Sequence, residues 1–291
     1  MEKEITKDII VFYHGLCLDG FTSAWAAWKK FGDTAEYIPL IWTSLKPDQI
    51  PQIENKEVYF LDFTPRKEEV ERIIRDNKVV QIIDHHISVE ETLKTVPNAI
   101  YDVSHSGAVL SWNFFHPNKA VPQLSLYVED GDLWKWSIPK SAEVLNVIDL
   151  KREFDFSVWD SLYKDLEDEK TRISYEEKGE LIKQYRDKVI DIIIKEQAQV
   201  VDFEGHEIYA INAPRYFKSE IGNVLSHRKP PFAIVWSQTP DDVSVSLRSI
   251  KDFDLVPMAT KYNGGGHEHA ANFRLPLGSP LPWKIIKEDE K

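Results

Sequence analysis

The chain has 291 residues, with 36 Lys and Arg against 48 Asp and Glu and a formal net charge of -12. That length allows two domains with separate cores, the single cysteine excludes an internal disulfide framework, and no apolar run reaches the ~18 residues that cross a bilayer. The acidic balance opposes tight binding to long nucleic acids, which needs a basic track that releases counterions. Short or small phosphorylated substrates fit better, with local cations such as Lys218, Arg228, Arg248 and Arg274 available to build a positive pocket. The first residues hold no apolar signal core, and we expect a cytoplasmic protein without membrane association.

Along the chain, the apolar run 9–13 predicts a strand that leads into His14-Gly15-Leu16-Cys17-Leu18-Asp19-Gly20. Residues 21–31 carry good helix formers and an apolar stripe, so this first polar segment stands at a helix N-terminus, where backbone donors and the helix dipole favour anions. Trp25 and Trp28 have helical spacing and read as core. A second apolar run, 58–61, leads into Asp62, and a third, 79–83, into Asp84-His85-His86. Strands alternating with helical patterns up to about residue 145 predict a mostly parallel sheet with helices on both faces. In such a sheet the carboxyl ends of neighbouring strands share one crevice, so these side chains converge there. The run 124–128, followed by Glu129-Asp130-Gly131-Asp132, adds a fourth acidic cluster. So many acids and imidazoles crowded together need cations, and their oxygen and nitrogen donors suit Mn²⁺, Zn²⁺ or Fe²⁺ better than Ca²⁺.

Residues 150–170 are charge-rich and read as a solvated helical face or connector. From about 175 to 197, Leu181, Ile182, Tyr185, Val189, Ile192 and Ile193 recur at helical spacing and predict one long amphipathic helix. Strand patterns at 200–203, 206–211, 232–236 and 243–247 predict a smaller α/β domain. The organisation expected is therefore two-lobed α/β: a metal-binding domain over 1–150, a helical connector over 151–198 and a substrate-binding domain over 199–291.

These motifs resemble those of the DHH phosphoesterase family. Asp84-His85-His86 is similar to its naming signature, the segment from His14 to Gly20 to its first motif, Asp62 to its second and Asp130 to its fourth. His105-Ser106-Gly107-Ala108 resembles the segment that opens a helix after the signature. Near the other end, Tyr262-Asn263-Gly264-Gly265-Gly266-His267 followed by Ala270-Ala271 resembles the glycine-rich loop of the associated DHHA1 domain, with Ser246-Leu247-Arg248-Ser249 upstream. Asn263 and Asn272 stand where relatives often have Gly; Asn tolerates left-handed backbone, so the loop geometry is retained.

The resemblance implies a ligand set for two divalent metals, Mn²⁺ first with Mg²⁺, Zn²⁺ or Fe²⁺ as alternatives. His14 would bind one ion, Asp19 the other and Asp62 both, while His85 and Asp130 complete the second site, with Asp132 as runner-up to Asp130. Asp84 would orient an imidazole and His86 would face the substrate phosphate. Arg248, Gly264, Gly265, Gly266 and His267 would hold substrate. Cys17 departs from the acidic ligand of many relatives, and three readings stand: a small non-ligand beside a weak first site, which we favour, a thiolate ligand that selects Zn²⁺ or Fe²⁺, or a lost first site. The activity implied is metal-dependent hydrolysis of short oligonucleotides to nucleoside monophosphates by a metal-activated water. Alternatives are a cyclic nucleotide or cyclic dinucleotide phosphodiesterase, a pyrophosphatase or polyphosphatase, and, outside enzymes, a nucleotide-binding sensor with a degenerate first site.

Overall fold

The computed structural model describes residues 5–41, 50–151 and 153–286. Two compact units divide the chain, Met1–Lys183 and Gln184–Lys291. Among the described residues no helix is long and apolar enough to cross a membrane.

The first unit is built on strands β1 (Ile9–His14), β2 (Ala35–Leu40), β3 (Glu57–Leu61), β4 (Val79–Asp84) and β5 (Ile100–Tyr101). They form a five-stranded sheet in the order β2-β1-β3-β4-β5, with every pairing parallel. Successive side chains point to opposite faces, and here both faces are buried. Ile10, Phe12, Val58, Phe60 and Ile82 enter one core, while Val11, Tyr13, Tyr59, Leu61 and Ile83 enter the other. This two-sided burial explains why the strands read as continuous apolar runs rather than alternating ones. Helices α1 (Leu18–Phe31), α4 (Gly107–Phe115), α5 (Gln123–Asp132), α6 (Ser141–Leu150) and α7 (Phe156–Glu167) contribute to the second core; α2 (Lys67–Asp76) and α3 (Glu90–Leu93) contribute to the first. Trp25 lies fully inside the α1 side, stacked at 5.4 Å on Trp112.

Two expectations change, and the run 124–128 takes a form the sequence left open. Residues 156–167 are no solvated connector but α7, whose Trp159, Leu162 and Leu166 lie in the first unit's core. The apolar run 124–128 is not a strand but part of α5: Leu124, Tyr127 and Val128 fall at i, i+3 and i+4 and are buried together, the helical period. The long helix, α8 (Glu169–Gln197), begins earlier than the periodicity indicates, and Leu181, Tyr185 and Ile192 of its expected stripe are exposed. Its buried residues are Tyr175, in the first unit's core, and Ile190 and Ile194, in the second unit's core. One stripe does not describe a helix whose two halves serve different cores.

The second unit carries β6 (Gln199–Phe203), β7 (His206–Asn212), β8 (Phe232–Gln238), β9 (Asp242–Ser249), β10 (Gly265–His267), β11 (Ala270–Pro276) and β12 (Lys284–Ile285), with helices α9 (Lys218–Arg228) and α10 (Val256–Lys261). Its seven-stranded sheet, ordered β10-β11-β9-β8-β7-β6-β12, is antiparallel except for the pair β7 and β8. Ile211, Ala233 and Val235 pack under α9 and the end of α8, while Phe203, Phe232, Ile234 and Phe273 fill the opposite face.

Candidate metal centre

Register brings the polar side chains together. Tyr13 of β1 is level with Leu61 of β3, and Leu61 with Ile83 of β4. The residues that follow, His14, Asp62 and Asp84, therefore emerge side by side from strands about 4.8 Å apart. After β1 the chain turns through Leu16, at φ 59, and Cys17 caps α1, placing Asp19 in its first turn. Asp62 adopts φ 54, a left-handed backbone that costs an Asp about 1 kcal/mol or more and is held by its N–H donating to the Ile83 carbonyl at 2.9 Å.

Asp62 is the centre of the cluster. Its Oδ2 lies 3.2 Å from His14 Nδ1, and its Oδ1 lies 3.2 Å from His85 Nε2 and 3.7 Å from His86 Nδ1. His85 Nε2 is also 3.5 Å from Asp19 Oδ2 and 3.6 Å from Asp132 Oδ2. The donor groups that result include His14 with Cys17 and Asp62, and Asp19 with His85 and Asp132, the ligand atoms of each lying within 4.8 Å of one another. Asp84 does a different job. Its Oδ1 accepts the backbone N–H of His85 at 2.7 Å and of His86 at 3.0 Å and meets His86 Nδ1 at 2.7 Å, while Oδ2 accepts the Thr64 hydroxyl at 2.6 Å. It fixes the backbone of both histidines and the ring of His86, and its carboxylate, Asp62 and His86 also bring ligand atoms within 4.8 Å of one another.

A contact that residue types alone hide is the start of α4. Asp19 accepts the N–H of Gly107 at 2.8 Å on Oδ2 and of Ala108 at 2.9 Å on Oδ1. Gly107 is required there, because a Cβ would stand 2.6 Å from the Asp62 Cβ and 2.9 Å from Asp19 Oδ2. The sequence signal for this contact is the segment His105 to Ala108, which opens a helix.

The fourth acidic cluster corrects the expected ligand. Asp130 faces away, its Oδ1 accepting the Ser137 N–H at 2.8 Å and hydroxyl at 2.7 Å and its Oδ2 the Ile138 N–H at 3.3 Å. The carboxylate beside His85 is that of Asp132. Helical geometry is the reason: two residues along a helix are turned by about 200°, so the two acids of α5 cannot face one point, whereas on a strand they would. Cys17, expected first as a bystander, has its sulfur in the group with His14 and Asp62.

The titration pattern follows from the crowding. Burial would lower the His14 imidazole, but its hydrogen bond to Asp62 and the neighbouring Cys17 outweigh that and hold it well above its ordinary value. Burial likewise opposes charge on His85, yet Asp62, Asp132 and Asp19 push it up to about 11. Asp19 is raised by burial and by the charges of Asp62 and Asp132, and Asp132 is raised mainly by burial. Asp62 resists burial and titrates below the usual carboxylate range because His14 and His85 face it. Asp84 is also lowered despite burial, by His86 and the Thr64 hydroxyl. These donors fit a divalent cation: Asp62 Oδ1, on a residue only 1% exposed, accepts no hydrogen bond, and imidazole, carboxylate and thiol surround it.

In the second unit, Arg248, Ala270 and His267 stand in one row across β9, β11 and β10, so the side chains of Arg248 and His267 leave the same face, about 10 Å apart. Arg248 donates to the Ser219 hydroxyl at 3.0 Å and to the Leu247 carbonyl at 2.8 Å, and burial lowers it to about 10. Gly265 and Gly266 belong to β10, with Gly266 at φ 143, and Gly264 N–H donates to the Ala259 carbonyl at 2.9 Å. Asn263 takes φ 57, the left-handed geometry its side chain tolerates.

No family model matches the chain. An uncharacterized protein of Acanthamoeba polyphaga mimivirus is 28% identical over 302 aligned positions that cover 96% of this chain and 70% of that protein. The oligoribonuclease NrnB of Bacillus subtilis is 24% identical over 253 positions, covering 74% of this chain and 58% of the length of NrnB. Among solved structures, an exopolyphosphatase-related protein from Bacteroides fragilis superposes with a TM-score of 0.53 over 94% of this chain and 88% of that one, at 14% identity. The chain shares its α/β fold with that protein, and its motifs stand in the same order as those of the DHH phosphoesterase family they resemble. Its curated relative of stated activity is an RNA-degrading enzyme.

Proposed function

We propose that this protein is a divalent-metal-dependent phosphodiesterase that hydrolyses short oligonucleotides to nucleoside monophosphates. The observation that carries the reading is the place of Asp62, strained and buried between the His14–Cys17 pair and the Asp19–His85–Asp132 set. In this assignment His14, Cys17 and Asp62 would hold one cation, and Asp19, His85 and Asp132, with Asp62 beside them, the other. Divalent ions bound there would supply positive charge to the phosphoryl oxygens and lower the pKa of an attacking water, with Zn²⁺ or Fe²⁺ favoured where Cys17 ligates as a thiolate and Mn²⁺ where it stays outside.

The remaining roles belong to the chain. Gly107 and Ala108 hold the Asp19 carboxylate still through their N–H groups. Asp84 fixes the ring of His86, which faces the cluster 3.7 Å from Asp62 and stabilises charge developing on the phosphate. We assign Arg248, Gly264, Gly265, Gly266 and His267 to the terminal phosphate of the substrate, as cation and close backbone approach. The net charge of -12 supports short substrates over long duplexes, and the relation to NrnB supports a nucleotide substrate.

Asp62→Asn tests the assignment. It is expected to lower metal-dependent cleavage by more than about a hundredfold, beyond the ~10–100-fold typical of groups that only orient ligands, while the protein still folds. Unchanged cleavage would remove Asp62 from the centre.

A further inference from the structure

The exposed tryptophans among the described residues are Trp134 and Trp136, each 40% exposed. Their rings meet edge to face with centroids 4.9 Å apart. Both residues have left-handed backbone, φ 54 and φ 49. A bulky residue in that conformation costs about 1–2 kcal/mol, and Gly or Asn would relieve the cost at either place. The turn nonetheless holds two exposed indoles there.

The turn is fixed. Trp134 N–H donates to the Gly131 carbonyl at 3.2 Å, and Lys135 and Trp136 N–H both return to the Asp130 carbonyl, at 2.9 and 3.4 Å. Asp130 itself clamps the far side through Ser137 and Ile138. Between the indoles, Lys135 Nζ donates to the Ser104 carbonyl at 2.8 Å and lies 3.5 Å from Glu129 Oε1, which ties the turn to the segment whose next residues hold Asp19. The turn therefore begins at the metal centre: Asp132, 3.6 Å from His85, precedes Trp134 by two residues, so their Cα atoms are no more than about 7 Å apart. This also gives Asp130 a purpose, since the carboxylate that is not at the centre shapes the platform beside it.

We infer that Trp134 and Trp136 form a nucleobase-stacking platform, which seats a base of the substrate next to the phosphodiester at the metal centre. The inference deepens the proposed function and rests on it for the identity of the ligand. A π-face is common to every base, so the platform favours nucleotides over base-free phosphates without selecting sequence. It makes the substrate class a matter of stacking rather than of hydrogen-bonded readout.

The test is the binding of a 5′-phosphorylated dinucleotide with a non-hydrolysable methylenephosphonate bridge to the full-length, Mn²⁺-loaded protein, followed by tryptophan fluorescence. Ribose 5-phosphate serves as the base-free probe. We expect saturable quenching by the dinucleotide and little by ribose 5-phosphate. Trp134→Ala and Trp136→Ala should weaken dinucleotide affinity at least about fivefold each, Trp→Phe at either position should restore most of it, and the affinity of ribose 5-phosphate should move far less. Equal loss for both ligands, or dinucleotide affinity unchanged in the alanine variants, would overturn the platform. The wild-type protein's cleavage of the natural dinucleotide separates the two claims. Cleavage with no role for the tryptophans sinks the platform alone, and indole-dependent binding without cleavage sinks the proposed activity alone.

Discussion

Asp130 and Asp132 divide one acidic cluster into two jobs, and their variants should separate cleanly. Asp130→Asn keeps one acceptor oxygen but turns the other into a donor that faces the Ser137 or the Ile138 N–H, and should cost about 1–2 kcal/mol in denaturant unfolding with metal affinity largely kept. Asp132→Asn removes both a like charge beside Asp62 and Asp19 and a partner of the His85 imidazolium, so stability should change little, while metal affinity and cleavage fall more than tenfold. The reverse pattern would restore Asp130 as the ligand. The sequence shows that an acid from this cluster is needed but not which, since the choice depends on a 200° helical turn that a strand reading hides. His14, Asp19, Asp62 and His85 were legible because each follows an apolar run, and register does the rest. Titration gives a second residue-level prediction. His85 is pushed up to about 11, above the ~6.5 of an unfolded imidazole, so in the metal-free protein its charge stabilises the fold fully below pH ~6.5 and the contribution is lost as pH rises through about 11. His14, also raised, behaves in the same sense. Both must shed protons to ligate, so Mn²⁺ titrated calorimetrically at pH 7 in buffers of different ionisation enthalpy should show net proton release and tighter binding as pH rises. No proton release would contradict the ligand set.

Helix α4 is the element on which the centre leans, through N–H groups rather than side chains. Gly107→Ala should push against Asp62 and Asp19 from 2.6 and 2.9 Å, weakening Mn²⁺ binding at least about tenfold while the circular dichroism spectrum stays that of the native fold. Retained affinity would mean that the two carboxylates are free to shift. A glycine needed for close approach at φ below zero has no signature in one sequence, which is why residue order pointed to the segment and not to its reason. Strands were the easier elements to read: runs buried on both faces stand out in β1, β3 and β4, and the second unit's β6 to β9 fall where their patterns end. Helix α8 was harder, because a stripe search assumes one partner surface and this helix supplies Tyr175 to one core and Ile190 and Ile194 to another.

At the scale of the whole molecule, the division between units falls within α8, at Lys183 and Gln184, where no shift of composition announces it. The parallel first unit supplies the metal centre and the largely antiparallel second unit supplies the row of Arg248 and His267. On the proposed reading, Mn²⁺ that binds only the folded state should, at a hundred times its dissociation constant, add about 2.7 kcal/mol to stability. The central claim, metal-dependent cleavage of short oligonucleotides, is tested most directly by offering a 5′-phosphorylated dinucleotide, pyrophosphate and a cyclic dinucleotide in parallel, each with Mn²⁺ and each with chelator. The account predicts release of nucleoside monophosphates from the dinucleotide, abolished by chelator and exceeding turnover of the other two. Preference for pyrophosphate or the cyclic dinucleotide, or cleavage that survives chelation, would contradict it.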